Sequence, residues 1–80
     1  MLKNRYDVNV RAIFRLCRVC ARGLPTDEQE DAALEGFERV LRYYPEMFFW
    51  PQWSLIKRVI NQAVNDYIGQ LVMWNEIREA

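Results

Sequence analysis

The chain contains one cysteine pair, Cys17 and Cys20, with the spacing of metal-binding and redox motifs. A structural zinc site needs four ligands, and the sequence holds no histidine and no further cysteine, so a zinc site within one chain is excluded. A redox dithiol usually lies at the N-terminus of a helix that follows a strand, where the helix dipole lowers the thiol pKa. This pair falls inside a predicted helix, so we expect two reduced cysteines that are buried or half-buried.

No other group of side chains has the pattern of a catalytic site. Without histidine, acid–base catalysis would depend on carboxylates, tyrosines or lysines. The acids of residues 27–31 are crowded where a helix is predicted to begin, and the helix dipole accounts for them there. The three glycines stand apart, so they form no phosphate-binding loop. We therefore predict a protein that is not an enzyme, with no catalytic residue, cofactor or metal.

Charge is distributed unevenly along the chain. The 11 basic and 11 acidic residues cancel, but six basic residues against Asp7 give residues 1–24 a net charge of +5, and six acids against two arginines give residues 25–44 a net charge of −4. Four of the basic residues recur at spacings of four, three and four, so they lie within about 60° of one another on a helix. We call them the arginine row: Arg11, Arg15, Arg18 and Arg22.

Two interpretations of the arginine row are open. In the first, it contacts the phosphates of a nucleic acid, which gives salt-dependent affinity without sequence readout. In the second, it is a solvated edge or an ion-paired edge that faces the helix with Glu35 and Glu38, or it contacts an acidic surface on a protein partner. The neutral overall charge favours the second interpretation.

Residues 43–53 combine six aromatic side chains with two prolines. The prolines restrict the backbone and the aromatic residues cannot share one helical face, so we predict a bent linker or single turn that closes one end of a helical bundle. We expect Phe48 and Trp53 to lie in the core. Tyr43 and Trp50 are then free to contact a partner, because Trp and Tyr bury much area with few rotatable bonds.

Apolar periodicity and helix-end signals predict a first helix over about residues 5–22. Asn4 or Asp7 caps its start, and Gly23 ends it in the left-handed conformation. The helix has two apolar faces, which predicts two packing partners. The first face comprises Tyr6, Val10, Ile13, Phe14, Cys17, Ala21 and Leu24, and the second comprises Val8, Ala12, Leu16 and Val19.

The second helix is predicted over residues 27–43. Thr26 and Gln29 have the spacing of a capping box, in which each side chain bonds a free backbone amide at the start of the helix. Gly36 permits a close approach to a neighbouring helix, and the residue before Pro45 ends the helix.

The third helix is predicted over residues 52–77 and is the longest. At about 1.5 Å per residue it spans about 39 Å, so we expect its last turns to project beyond the other two helices. Met73, Trp74 and Ile77 in those turns would be exposed. They are natural contacts for a second copy of the chain or for another protein.

These elements predict an all-α fold, a small three-helix bundle with an aromatic, proline-bounded linker between helices two and three. Residues 1–80 would form a single domain whose first two helices make an antiparallel hairpin. A chain of this length buries only about 60–65% of its unfolded surface, so we expect an oligomer interface or a partner to add stability. Without an apolar run of membrane-spanning length or a signal-peptide pattern, we expect a soluble, cytoplasmic protein.

The sequence names no reaction and no ligand. It favours a non-catalytic protein-binding module that docks on a larger protein and modulates it, such as the inhibitors and regulators that phages and other mobile elements encode. The predicted partner contacts are Tyr43, Trp50, Met73, Trp74 and Ile77. The alternative is a small dimeric nucleic-acid-binding regulator that uses the arginine row, and a third hypothesis is a purely structural homo-oligomer.

Overall fold

The computed structural model of the chain describes residues 5–79, which form three α-helices and one short 3₁₀ helix. The helices are α1 (Arg5–Cys20), α2 (Thr26–Tyr43) and α3 (Trp53–Glu79), and the 3₁₀ helix covers Pro45–Phe48 between α2 and α3. The described residues contain no strand. The predicted all-α three-helix bundle is therefore confirmed, and the aromatic linker contains a single 3₁₀ turn.

The first helix buries one of its two predicted apolar faces and covers the other only in part. Ile13 and Cys17 on the first face are completely buried against the other helices. On the second face Val8 and Val19 are exposed, whereas Leu16 is half-buried and packs against the core. The predicted left-handed end of the helix is wrong, because no glycine between positions 5 and 79 has a positive φ. Instead, tight backbone turns through residues 21–24 close the helix end.

The start of α2 differs from the predicted capping box. Pro25 has φ −54° and its carbonyl accepts hydrogen bonds from the backbone amides of Glu28 and Gln29, so the helix already begins at Thr26. Inside the helix Thr26 cannot act as the cap, and no side chain caps this end. The Gln29 side chain instead donates to the backbone carbonyl of Leu24 at 2.8 Å, which ties the preceding loop to α2.

Ring contacts show that α1 and α2 are antiparallel. Tyr6 near the start of α1 lies 5.9 Å from Phe48, which follows α2, whereas Phe14 lies 5.5 Å from Phe37 in the middle of α2. The predicted hairpin is therefore confirmed, and the start of α1 lies at the same end of the bundle as the 3₁₀ helix.

All three helices approach one another at Gly36. A Cβ atom added there would lie 3.2 Å from Cγ2 of Ile60 in α3 and 3.7 Å from the sulfur of Cys17 in α1. The absence of a side chain lets α2 pack directly onto both neighbours, as the sequence predicts. The core around this point is made by small and branched side chains, with Ala32, Ala33, Val40, Ile56, Ile60 and Val64 buried.

The last turns of α3 extend beyond the bundle. Among the side chains of α3 that the structure describes, Val64 is the last buried one and Tyr67 is half-buried, whereas most of those from Ile68 onward are exposed. The longest dimension of the molecule is 58 Å, against 22 and 17 Å in the other two directions. The predicted projection of the third helix is therefore confirmed.

Two glycine-to-alanine substitutions test the packing at Gly36. At Gly69 no atom lies within 4 Å of an added Cβ, so Gly69→Ala gains helix propensity and stabilises the protein by about 0.5–1 kcal/mol. At Gly36 the same methyl group must displace Ile60, so we expect Gly36→Ala to be less stable than Gly69→Ala by about 1–2 kcal/mol. Urea denaturation measures both values. Equal stabilisation by the two substitutions would show that α2 does not closely approach its neighbours at Gly36.

Candidate protein-interaction surfaces

The aromatic linker closes one end of the core. Phe48 is 1% exposed, and its ring contacts Tyr6 and also Phe37, with 5.5 Å between the Phe37 and Phe48 ring centres. The side chain of Asn9 donates a hydrogen bond of 2.7 Å to the backbone carbonyl of Phe48 and so holds the turn against α1. The predicted core position of Phe48 is confirmed. The Asn9 bond could not be predicted, because this asparagine carries no pattern that separates it from an exposed one.

Trp53 does not lie in the core, contrary to the sequence prediction. Its side chain is 45% exposed in the first turn of α3. The 3₁₀ helix brings Met47 and Phe48 into the core at this end, so the space for a large ring is already filled. The Met47 sulfur also accepts a hydrogen bond from the backbone amide of Gln52, which fixes the chain just before α3.

Tyr43 and Trp50 are exposed, as predicted, but they lie in different grooves. Trp50, at 72% exposure, lines a groove of about 570 Å³. Its other lining residues are Arg5, Val8, Asn9, Phe49, Pro51 and Gln52. Tyr43 lines a groove of about 540 Å³ between α2 and α3, together with Arg39, Tyr44, Leu55, Arg58, Val59 and Gln62. The sequence did not indicate that Val8 and Phe49 extend the apolar surface around Trp50.

The projecting end of α3, which we call the α3 tail (residues 68–77), carries the other predicted contacts. Met73 and Trp74 are each 61% exposed and Ile77 is similarly open. Ile68 and Val72 are also exposed, whereas Leu71 between them is half-buried. The bundle therefore covers this part of α3 only in part.

The five predicted partner contacts therefore do not form one surface. Trp53 and Trp74 are separated by 21 residues of one helix, which corresponds to about 32 Å at 1.5 Å per residue. Trp50 precedes Trp53 and lies at the aromatic end, whereas Met73, Trp74 and Ile77 lie at the opposite end. One partner would have to span the whole bundle to contact both sets.

Polar contacts hold α3 against α2 just before the tail begins. The Tyr67 hydroxyl donates a hydrogen bond to the carboxylate of Glu28, which raises the pKa of Tyr67 to about 12. Arg39 donates to Asp66 at 2.7 Å and lowers the pKa of that carboxyl group. These contacts connect both ends of α2 to one short segment of α3, so the tail leaves the bundle in a fixed direction.

The arginine row is exposed, with Arg11, Arg15 and Arg18 on α1 and Arg22 in the turn that follows it. Among the described side chains none of its four guanidinium groups forms an ion pair. Of the two edges that the sequence allows, the ion-paired one is wrong, because Glu35 and Glu38 pair with Arg39 and Arg42 one turn further along α2. The exposed side chains agree with a solvated edge. Arg18 instead lies over the ring of Phe14, 5.3 Å from its centre, in a cation–π contact.

The cysteines are packed as expected. Cys17 is completely buried, and burial raises the pKa of its thiol to about 12. Cys20 is half-buried, and burial also raises the pKa of this thiol. Across residues 5–79 no three His, Cys, Asp or Glu side chains are grouped closely enough to hold a metal ion. None of the described helices combines the length and apolar character needed to cross a bilayer.

Thiol labelling of the native protein tests the environment of the two cysteines. At pH 8 we expect Cys20 to react slowly and Cys17 to react only when the protein unfolds, because the thiolate is the reactive form and both thiols have raised pKa values. Peptide mapping by mass spectrometry assigns the modified residue. Fast modification of both cysteines with an unchanged helical circular dichroism spectrum would contradict the buried positions.

The Tyr67–Glu28 contact predicts a pH dependence of stability. Tyr67 has its pKa raised from 10.0 to about 12, so the hydrogen bond contributes fully to the free energy of unfolding below pH 10, and this contribution is lost as pH rises to about 12. Tyr67→Phe should abolish this decrease in stability at high pH. It should also lower the free energy of unfolding by about 0.5–1.5 kcal/mol at neutral pH. Tyr43→Phe, at an exposed ring, is the matched control and should change neither the stability at neutral pH nor its decrease at high pH. Urea denaturation at pH 7, 10 and 11 gives both results, and identical profiles for the two variants would refute the contact.

Comparison with known proteins gives no relationship from which a function can be transferred. The chain matches no protein-family model, no curated protein and no solved structure. Its function is therefore argued from the surfaces described above.

Proposed function

We propose that the chain is a non-catalytic protein-binding module that docks on a larger protein and modulates it, with the α3 tail as the docking element. The supporting observation is that the tail exposes large apolar side chains on more than one face. These residues spread over about 240° of the helix circumference, with Gln70 and Glu76 among them. A helix with so wide an apolar surface is normally covered by neighbours, and the bundle leaves most of this one exposed.

The composition of the tail favours a protein groove over a membrane surface. Glu76 is the only charged residue between positions 68 and 77. Helices that lie on membranes carry many Lys and Arg residues on their polar face, which the tail lacks. Apolar helices that dock in protein grooves use large anchors one turn apart, and Trp74 and Ile77 have this spacing.

The tail is also organised in advance for binding. It continues a helix whose first half is packed in the bundle, and the Tyr67 and Asp66 contacts fix the point where it leaves. A short isolated helix of the same sequence would be only marginally stable in water. Because the bundle already holds the helical conformation, less entropy is lost on binding than with an isolated peptide. The bundle itself would cover partner surface beside the docked helix, which is a direct way to modulate a larger protein.

The alternative proposal is a dimeric nucleic-acid-binding regulator. The observation that favours it is the arginine row, whose exposed guanidinium groups are without ion pairs among the described side chains. Against it stand the neutral overall charge and the apolar character of the tail, which nucleic-acid binding would leave unexplained.

A capture experiment with tail variants tests the proposal. The tagged chain should retain one stoichiometric protein from the lysate of its native host. The double variant Trp74→Asp/Ile77→Asp should bind that protein at least about tenfold more weakly, because it removes two anchors of the kind that dominate interfaces. Gln70→Asp introduces charge at an exposed polar position of the same tail and should bind as the wild type does.

Circular dichroism should show the same helix content for all three proteins, since the substituted side chains are exposed. Light scattering of the purified chain separates this proposal from a purely structural homo-oligomer. Capture of nucleic acid alone, or equal capture by the wild type and the double variant, would refute the tail as a protein-docking helix.

A further inference from the structure

A second exposed surface lies between α1 and α2, on the side of the arginine row. The row forms one rim of this α1–α2 groove. On α2, Glu30 and Phe37 line the groove, and helical spacing of four, three and four puts Leu34 and Leu41 on the same face of that helix. Leu41 also lines the neighbouring cavity beside Phe48. Because α1 and α2 are antiparallel, two matched rows run side by side in opposite directions, one basic and the other mainly apolar.

Aromatic rings form the floor of the groove. Phe14 and Phe37 meet edge to face with ring centres 5.5 Å apart, and Arg18 lies over Phe14 at 5.3 Å. Two cavities continue along it and share Arg18. One of about 380 Å³ is lined by Val10, Arg11, Phe14, Arg15, Arg18 and Phe37, and one of about 290 Å³ is lined by Arg18, Arg22, Thr26, Gln29 and Glu30.

The groove has more positive charge than the described side chains neutralise and more apolar surface than they cover. None of the four arginines has an ion-pair partner among the described side chains, and Glu30 is the one acid on the opposite rim. Leu34 and Leu41 are exposed on that rim. A ligand that complements both rims must therefore carry negative charge along one edge and apolar side chains along the other.

We infer that the α1–α2 groove binds an acidic amphipathic helix of a partner protein. This inference rests on the proposed protein-binding function and assigns a second contact surface to it. Carboxylates at spacings of four, three and four would face the arginines, whose guanidinium groups bind carboxylates through two parallel hydrogen bonds. Apolar side chains on the adjoining face of the helix would lie on Phe37, Leu34 and Leu41. Arg11, Arg15 and Arg18 span about 11 Å of α1, which matches about two helical turns, and Arg22 extends the row into the turn that follows the helix.

The apolar rim distinguishes this occupant from a nucleic acid. A duplex presents phosphates on both sides of a bound helix and no apolar edge, so Leu34 and Leu41 would contact charged or hydrated groups. An acidic amphipathic helix satisfies both rims at once.

A synthetic peptide tests the inference. The probe is a helical peptide with four glutamates at spacings of four, three and four and leucines on the adjoining face, and its control has glutamine in place of each glutamate. We expect the acidic peptide to bind at least about tenfold more tightly than the control in fluorescence anisotropy, with affinity that falls between about 50 mM and about 500 mM salt. Ring-proton shifts of Phe14 and Phe37 should follow the binding.

Charge reversal in the groove is the decisive comparison. Arg15→Glu/Arg18→Glu should weaken binding of the acidic peptide at least about tenfold and should bind a peptide with lysine in place of glutamate, which excludes loss of folding as the cause. Arg58→Glu, at an exposed arginine of α3, is the matched control and should bind the acidic peptide like the wild type. Trp74→Asp/Ile77→Asp should also bind it like the wild type, so the outcome is independent of the tail.

Three results would overturn the inference: equal affinity for the acidic and glutamine peptides, unchanged affinity after charge reversal, or tighter binding of duplex DNA or single-stranded RNA than of the acidic peptide. The last result would support the nucleic-acid alternative. If host-partner capture through the tail succeeds while the acidic peptide fails, the docking function stands and only the assignment of this groove is lost.

Discussion

The structure depends on the close approach of the three helices at Gly36. α2 comes so close to its neighbours there that an added Cβ would lie 3.2 Å from Cγ2 of Ile60 in α3 and 3.7 Å from the sulfur of Cys17 in α1. A chain of this size forms a small core, so a single close crossing fixes much of the packing. It also fixes which face of each helix turns inward. The outward position of the arginine row follows from it.

One end of the bundle is closed and the other is open, and this difference creates the candidate surfaces. At one end the 3₁₀ helix places Met47 and Phe48 in the core, and Asn9 holds the turn to α1. At the other end most of the described side chains of α3 from Ile68 onward are exposed, because α1 and the loop to α2 stop while α3 continues for about three more turns. The closed end leaves Trp50 outside a filled core, and the open end exposes a whole helical segment.

Much of the local structure could be predicted because it depends on neighbours in the sequence. Periodicity located all three helices within two residues of their observed ends, and the length of the third predicted its projection. The predictions were wrong where two local interactions compete for the same residues. Pro25 preset the start of α2 and displaced Thr26 from the cap, and Glu35 and Glu38 paired with arginines on their own helix rather than with α1. Trp53 was predicted to lie in the core but is exposed, because Met47 and Phe48 fill that space.

The sequence by itself determined the helices, the break at the aromatic linker and the presence of a basic row, since each depends on residue type and spacing along one segment. The tertiary structure decided which surfaces face each other. It separated Trp50 from Trp74 by the length of α3 and exposed Ile68 and Val72. It also set the arginine row beside an apolar row of α2. Such relations depend on how far each helix extends past its neighbours and how closely they cross, which no single segment encodes.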